Sequence, residues 1–403
     1  MVNFAGIMTD VFNTKSKIII TCNKRLSAYL KQEVEDLGFT IKRFFSTGVE
    51  LEGTVNDCIP LNLNLRCASQ VLYSVASFEA RNPGELYNRL MEIEWENLIA
   101  FDGYFSVTSN VNNEYITTPL FANVKVKDAV VDRIKDKKGI RPNSGPEWNK
   151  TVLHLYWQEN QADIFLDTSG ETLSKHGYRK IPGKAPMLEA LATSTILASD
   201  WDQKSSFINP MCGAGTLAIE AALLATNKRP GLFRMNYAFM HVLGYDEQVF
   251  FIERRKLKDI SKKEIDFKII ASDISADAVS ISQNNAKTAG VDHLITFQVC
   301  DFAETEVPEQ PGVVFFNPEY GERLGVHTKL EMTYKRVGDF LKTDCKGYRG
   351  YVFTGNPELA KKVGLKAARK IEFFNGKLDC RLMEYELYDG SKREAGERPE
   401  VKV

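Results

Sequence analysis

The chain has 403 residues, 43% hydrophobic and 11% aromatic, a composition that buries a core and predicts two or three domains. Its 52 Lys and Arg against 53 Asp and Glu leave a formal net charge of −1, which excludes a chain that coats nucleic acid by bulk charge but leaves room for a local basic patch. No apolar run approaches the roughly 18 residues of a membrane span, and seven scattered Cys without a C-x-x-C and five dispersed His predict reduced thiols and no metal site.

Residues 1–16 read as an extension. They lack a basic stretch followed by an apolar one, and Asp10 interrupts where a secretory signal would run, so the expected location is cytoplasmic. KIIITCNK then reads as a strand and SAYLKQEVEDLGF as a helix closed by Gly38. Two alternating runs, TIKRFFST and GVELEGTV, precede a helix-like NDCIPLNLNLRCAS, which completes a small α+β unit. A second unit starts near Val71 with VLYSVASFEA. It continues through a helix over PGELYNRLMEIEWENLI, a strand at YFSVTSNV, a helix at VKVKDAVVDRIKDKKG and strands at TVLHLYWQ and QADIFLDTS. The linker GETLSKHGYRKIPGKAP is rich in Gly, Pro and cations, and a domain boundary is placed near Gly183.

Beyond it, strand and helix alternate, which implies a parallel sheet with crossover helices. SSFINP, DFKIIASD, LITFQVCD, VVFFNP and GYRGYVFTG are the strands. GTLAIEAALLA, SADAVSISQNNAKTAG and TKLEMTYKRVGDFLK are the helices, the second with Ser275 as N-cap and Gly290 as C-cap. The last structured stretch, RKIEFFNGKLDCRLMEYEL, carries Asn375-Gly376 between two strand-like runs. That is a type I′ hairpin signal, so the parallel sheet finishes with an antiparallel strand. The charged tail 391–403 reads as disordered.

Gly213, Gly215 and Ala218 in MCGAGTLAIEAA satisfy G-x-G-x-x-G/A between a strand and a helix, where glycine lets the backbone approach a nucleotide closely. The next strand ends at Asp273, placed to accept from ribose hydroxyls, and the third ends at Asp301 and Phe302, beside the place of an adenine. In open parallel sheets, ligands sit at that carboxyl edge, at the topological switch point. For NAD the acid should follow about 20 residues after the glycine turn. Asp273 lies much further on, behind an insertion from about Asn227 to Lys268, and the terminal hairpin also favours a methyltransferase sheet and its sulfonium cofactor.

The fourth strand runs into FFNPEYGERLG, residues 315–325. NPMCGAGT followed by NPEYGERLG resembles the class I methyltransferases that modify exocyclic amino groups, whose motif is Asn/Asp-Pro-Pro-Tyr. With VKVKDAVVDRIKDKKGIRPN and HGYRKIPGKAPMLEALATSTI, the stretch from about Lys17 to Tyr388 is similar to the THUMP-domain guanine-N2 methyltransferases of 23S ribosomal RNA, in a stand-alone form because no second methyltransferase unit follows Tyr388. The resemblance implies a ferredoxin-like unit at 17–70, a THUMP RNA-binding domain at 71–182 and a class I methyltransferase domain, Rossmann-like with an antiparallel terminal strand, at 183–390. It also implies S-adenosyl-L-methionine as cofactor, held by Pro186, Asn209, Pro210, Met211, Cys212, Gly213, Gly215, Thr216, Asp273, Ile274, Asp301, Phe302 and Asn317.

An exocyclic amine is a weak nucleophile because its lone pair is delocalised into the ring. Acceptors on both N–H hydrogens polarise it and aim it at the methyl donor. Asn317, through its amide oxygen, and Pro318, through its carbonyl, are the expected acceptors, with Tyr320 stacking on the base. The family's second proline is Glu319 here, which leaves that acceptor pair intact, should loosen the loop, and adds a carboxylate free to face solvent, pair with Arg323 or touch the substrate amine. Cys212 is a small filler of the turn rather than a nucleophile.

The basic run Lys125, Lys127, Arg133, Lys135, Lys137, Lys138 and Arg141 outnumbers Asp128, Asp132 and Asp136. By resemblance it holds the backbone of structured RNA without reading bases, and Arg179 and Lys180 would extend the track. RPGLFRMNYAF (229–239) and the loop with Arg323 are candidates to hold a flipped-out nucleotide. Three other readings stay open: a THUMP-type transfer-RNA guanine methyltransferase, a DNA adenine-N6 methyltransferase, and a non-catalytic RNA-binding assembly factor.

Overall fold

Alternating apolar residues in SKIIIT put Ile18 and Ile20 on one buried face of β1 (Ser16–Thr21), the strand around which the N-terminal sheet grows. The computed structural model describes residues 10–116, 118–181, 187–320 and 327–388. They fall into two units, one built from residues up to 176 with 229–260, the other from 177–228 with 261 onward.

In the first unit α1 (Ser27–Asp36) leads to the hairpin β2 (Ile41–Phe45) and β3 (Gly48–Gly53). Next comes α2 (Val55–Asn64), opened by a reciprocal cap in which Thr54 Oγ1 accepts from Asp57 N and Asp57 Oδ2 accepts from Thr54 N. β4 (Gln70–Glu79) is buried from Val71 to Val75 without alternation, the mark of a central strand. It pairs with β1 on one side and with β8 (Gln161–Asp167) on the other. The two N-terminal units separated in the sequence therefore share one sheet of eight strands, ordered β2-β3-β1-β4-β8-β7-β5-β6. The remaining members are β5 (Tyr104–Asn112), β6 (Asn143–Ser144) and β7 (Thr151–Gln158).

Helix α3 (Pro83–Met91) is shorter than its periodicity predicts. Its last turn tightens as Glu92 N donates to Arg89 O at 3.2 Å and Ile93 N to Leu90 O at 3.3 Å, and the indole of Trp95 donates to the same Leu90 carbonyl at 2.8 Å. Helix α4 (Pro119–Lys138) starts earlier than predicted, with Pro119 at its first turn, and ends at Gly139 with φ +76°. The insertion also belongs here. Thr151 Oγ1 donates to His241 O at 2.8 Å, Phe239 N donates to Thr168 O at 3.1 Å, and helix α7 (Glu247–Ile260) packs on α2.

The second unit holds a sheet of seven strands, ordered β11-β10-β9-β12-β13-β15-β14. β9 (Ser206–Pro210), β10 (Ile269–Asp273), β11 (Ile295–Val299), β12 (Gly312–Phe316) and β13 (Arg349–Thr354) are parallel. β15 (Leu378–Glu386) lies antiparallel between β13 and β14 (Arg369–Asn375), so this is the class I methyltransferase sheet with its antiparallel strand. All five residues of β9 and all ten of α6 (Thr216–Ala225) are buried, and α5 (Glu189–Ala198) is nearly so. Helices α8 (Ala276–Ala289), α9 (His327–Thr343) and α10 (Pro357–Lys362) complete the layers. Ser275 and Gly290 cap α8 as predicted, Ser275 Oγ accepting from Ala278 N and Gly290 adopting φ +61°.

The hairpin turn differs from expectation. The register pairs Asn375 with Leu378, so Gly376 and Lys377 form the turn. Only Gly376, at φ +61°, has a positive φ, whereas type I′ requires it at both central residues.

Candidate active site

The switch point of the second sheet lies between β9 and β12, where the chain order reverses. At their carboxyl ends Asn209 Nδ2 donates to Phe315 O at 2.9 Å, cross-tying the two strands. β9 then turns through Met211, at φ +57°, a left-handed conformation that costs a side-chain-bearing residue about 1–3 kcal/mol and is typically retained at functional sites. Gly213 follows at φ +54° and Gly215 at φ +80°.

The two glycines do different work. A Cβ on Gly215 would lie 1.9 Å from Ser282 Oγ on α8, so this glycine permits close helix packing. A Cβ on Gly213 would meet nothing within 4 Å, so this backbone faces open space, as a ligand cradle requires. Cys212 is buried, and that burial pushes its thiol up to about 12. A thiol held neutral in this way suits a filler and not a nucleophile.

Asp273 closes β10 and reaches back to the turn: Gly213 N donates to its Oδ2 and Ser275 N to its Oδ1, each at 3.0 Å. Ile274 beside it is 74% exposed, an apolar surface next to the carboxylate. Asp301 accepts from Ala303 N at 3.0 Å and Arg336 Nη2 at 2.7 Å, and these bonds hold it below the usual carboxylate range against a raising effect of burial. Phe302 stands just past the end of β11, as expected, with its ring turned inward. The ring is buried edge-on against Phe316 at 5.8 Å, with the Arg336 guanidinium 4.8 Å above it, because core burial outweighs exposure for a large apolar ring.

Asn317 follows β12 directly. Its Oδ1 is buried and has no hydrogen-bond donor among the described residues, and neither has Asn209 Oδ1. Two amide oxygens without donors thus stand on adjacent strands at the switch point. Pro318 is buried, Glu319 exposed and Tyr320 half buried. The Tyr320 ring packs edge-on to Phe353 at 6.3 Å, and Asn375 Nδ2 donates to its phenol oxygen at 2.9 Å. Burial pushes that phenol up to about 12, so it is neutral at physiological pH and no base. The sequence marked Asn375 only as a turn former, which hid its side chain's partner.

Some predicted residues have other occupations. Arg179 is not on a surface track: its Nη1 donates to Met187 O at 2.7 Å and Thr216 Oγ1 at 3.2 Å, and its Nη2 meets Glu189 at 2.8 Å in a buried ion pair. It therefore braces the start of α6, just after the glycine turn. Arg133 is likewise committed, to Glu96 at 2.8 Å and Met91 O at 3.2 Å. Lys125, with its ammonium 5.6 Å over Phe121, and Lys127 are half buried, while Lys135, Lys137, Lys138 and Arg141 are exposed. Tyr237 and Phe239 of the insertion are not free for a nucleotide: both are buried and stacked at 5.2 Å within the first unit. Pro186 and Arg323 lie outside the described residues, as does the charged tail. Among the described residues no group of three or more His, Cys, Asp or Glu is arranged to hold a metal, and no helix is long and apolar enough to cross a membrane.

Three family models match: the RlmL ferredoxin-like domain over residues 17–72, the THUMP domain over 80–167 and the RMKL-like methyltransferase domain over 176–384. Ribosomal RNA large subunit methyltransferase K/L of Syntrophotalea carbinolica is 33% identical over 382 residues, covering 92% of this chain and 53% of its own length. That of Cellvibrio japonicus is 33% identical over 380 residues, covering 91% and 50%. The chain thus spans about half the length of the curated relatives it matches. Among solved structures, SMU.472 complexed with SAH superposes with TM-score 0.84 at 25% identity, over 94% of this chain and 100% of its own. A Listeria monocytogenes protein described as an N6-adenine-specific DNA methylase gives TM-score 0.83 at 28% identity, over 93% and 97%.

Proposed function

We propose, from the premise that this chain belongs to the RMKL-like methyltransferase family, that it transfers a methyl group from S-adenosyl-L-methionine to guanine N2 of 23S ribosomal RNA. The observation that carries this reading is the buried Asn317 Oδ1, an acceptor at the switch point with no donor among the described residues. A buried acceptor left unpaired costs about 1–3 kcal/mol, a cost that a substrate N–H bound there would relieve.

The open backbone at Gly213, the carboxylate of Asp273 and the exposed Ile274 fit a nucleoside bearing a ribose and an apolar ring. When bound, the cofactor supplies an electrophilic methyl on a sulfonium. Asn317 Oδ1 and the Pro318 carbonyl would each accept one hydrogen of the exocyclic amine, raising electron density on nitrogen and fixing its approach. Tyr320, neutral and held by Asn375, would offer its ring to the base, a stacking contact worth roughly 1–3 kcal/mol. No side chain need be a strong base, because the nitrogen sheds its extra proton readily once methylated. In the first unit, Lys125, Lys127, Lys135, Lys138 and Arg141 would neutralise RNA phosphates.

The test is to incubate the protein with labelled S-adenosylmethionine and separate pools of unmodified 23S RNA, transfer RNA and DNA, followed by nucleoside analysis. N2-methylguanosine from the 23S pool is expected. Label confined to transfer RNA or to DNA N6-methyladenine would reassign the substrate, and cofactor binding without turnover in any pool would refute catalysis.

A further inference from the structure

The groups that would touch base or cofactor come from the ends of β9, β10 and β12. One contact reaches them from the opposite side of the sheet order. Asn375, the last residue of β14, donates through Nδ2 to Tyr320 Oη at 2.9 Å across 55 residues of sequence. The phenol sits over the hairpin with the Cys380 thiol beside it. Gly355, at the end of β13, lets the ring lie close: a Cβ there would fall 3.2 Å from Tyr320 Cδ2 and 2.5 Å from Leu378 Cδ2. Three elements therefore converge on one aromatic ring, and its outer end is held by the Asn375 amide, with the Cys380 thiol as a second polar neighbour.

A tyrosine ring can turn about two side-chain torsions, and edge-on packing against Phe353 holds only one edge. The hydrogen bond restrains the remaining freedom at the atom furthest from the backbone, where leverage on the ring plane is greatest. Because Asn375 is donor in this contact and the phenol is held neutral by burial, the bond does not depend on pH in the physiological range.

We infer that Asn375 is a positioning residue that acts through the Tyr320 phenol to set the plane on which the target base stacks. This rests on the reading of Tyr320 as the stacking residue. The antiparallel hairpin β14–β15 then has a direct role in substrate capture, beyond completing the sheet.

The test is a mutant cycle of Asn375→Ala, Tyr320→Phe and the double variant. It measures methyl transfer to whichever RNA pool the wild type modifies, with SAH binding read by calorimetry. Asn375→Ala should raise KM for RNA about tenfold with SAH affinity unchanged. Tyr320→Phe, which keeps the ring and deletes the phenol's contacts with both Asn375 and Cys380, should give at least the same loss, and the double variant should add nothing to Tyr320→Phe. Asn375→Asp, whose carboxylate can accept from the phenol, should recover most of the activity, and it carries the test if the alanine variant fails to fold. Additive losses, weakened SAH binding, or wild-type KM in both single variants would overturn this role. Absence of turnover by the wild type would refute the parent reading instead.

Discussion

Asn209 Nδ2 donates to the carbonyl of Phe315 at 2.9 Å, so the side chain that ends β9 is bonded to the strand that carries Asn317. The two asparagines share a chemistry but not a load. Asn209 ties the sheet together through its amide nitrogen, whereas Asn317 Oδ1 has no donor among the described residues.

Asn209→Ala should therefore cost about 1–2 kcal/mol of stability, since it removes a buried hydrogen bond between strands. Asn317→Ala should cost less than about 0.5 kcal/mol, because it deletes an acceptor that folding leaves unpaired. On methyl transfer the order should reverse, Asn317→Ala lowering kcat about 100-fold or more. Urea unfolding and single-turnover assays on both variants check the crossing.

The glycines predict a second dissociation. Gly215→Ala places a Cβ 1.9 Å from Ser282 Oγ at φ +80° and should destabilise by about 2 kcal/mol or more. Gly213→Ala meets open space and should cost only the left-handed backbone, about 1 kcal/mol. Its methyl would project where the cofactor approaches, so SAH affinity should fall more than stability. Thermal melts paired with SAH titrations measure both.

On α4 the cations divide in the same way. Lys135→Glu with Lys138→Glu should weaken RNA binding and reduce the slope of log affinity against log salt by about 2, one for each phosphate no longer neutralised. A slope equal to wild type would rule out the patch. Arg133→Ala should leave that slope alone and instead cost about 1–3 kcal/mol, because it strands Glu96 partly buried without its partner.

His154 gives a pH dependence. Burial lowers it from 6.5 to about 4, and Thr108 Oγ1 lies 2.8 Å from its Nδ1. The unfolded chain then binds a proton that the folded one does not. The stabilisation is full above about pH 6.5 and disappears as pH falls toward 4. His154→Gln should flatten the stability profile between those limits by roughly 2–3 kcal/mol, read as urea midpoints at pH 5 and 7.5.

Periodicity was a sound guide wherever local order follows from local sequence. The alternation in β1, the buried run of β9 and the caps of α8 all depend on residues a few positions apart, where burial and capping act directly on the backbone. It misled where a distant group supplied the deciding interaction. The indole of Trp95 meets the Leu90 carbonyl where α3 stops short, and β4 merges the two N-terminal segments into one sheet because its second partner, β8, lies some 90 residues on. Arg133 and Arg179 look like surface cations in a linear reading and are consumed by Glu96 and Glu189.

By itself the sequence determined the strand and helix order, the glycine turn and the Asn-Pro-Glu-Tyr segment at a sheet edge, since each is encoded by neighbouring residues and their backbone preferences. Only the tertiary structure decided which polar atoms lack partners and which are spoken for. The donorless Asn317 oxygen, the inward Phe302 ring and the Asn375 grip on Tyr320 arise from packing between segments far apart in the chain, where burial and hydrogen-bond satisfaction outweigh local propensity.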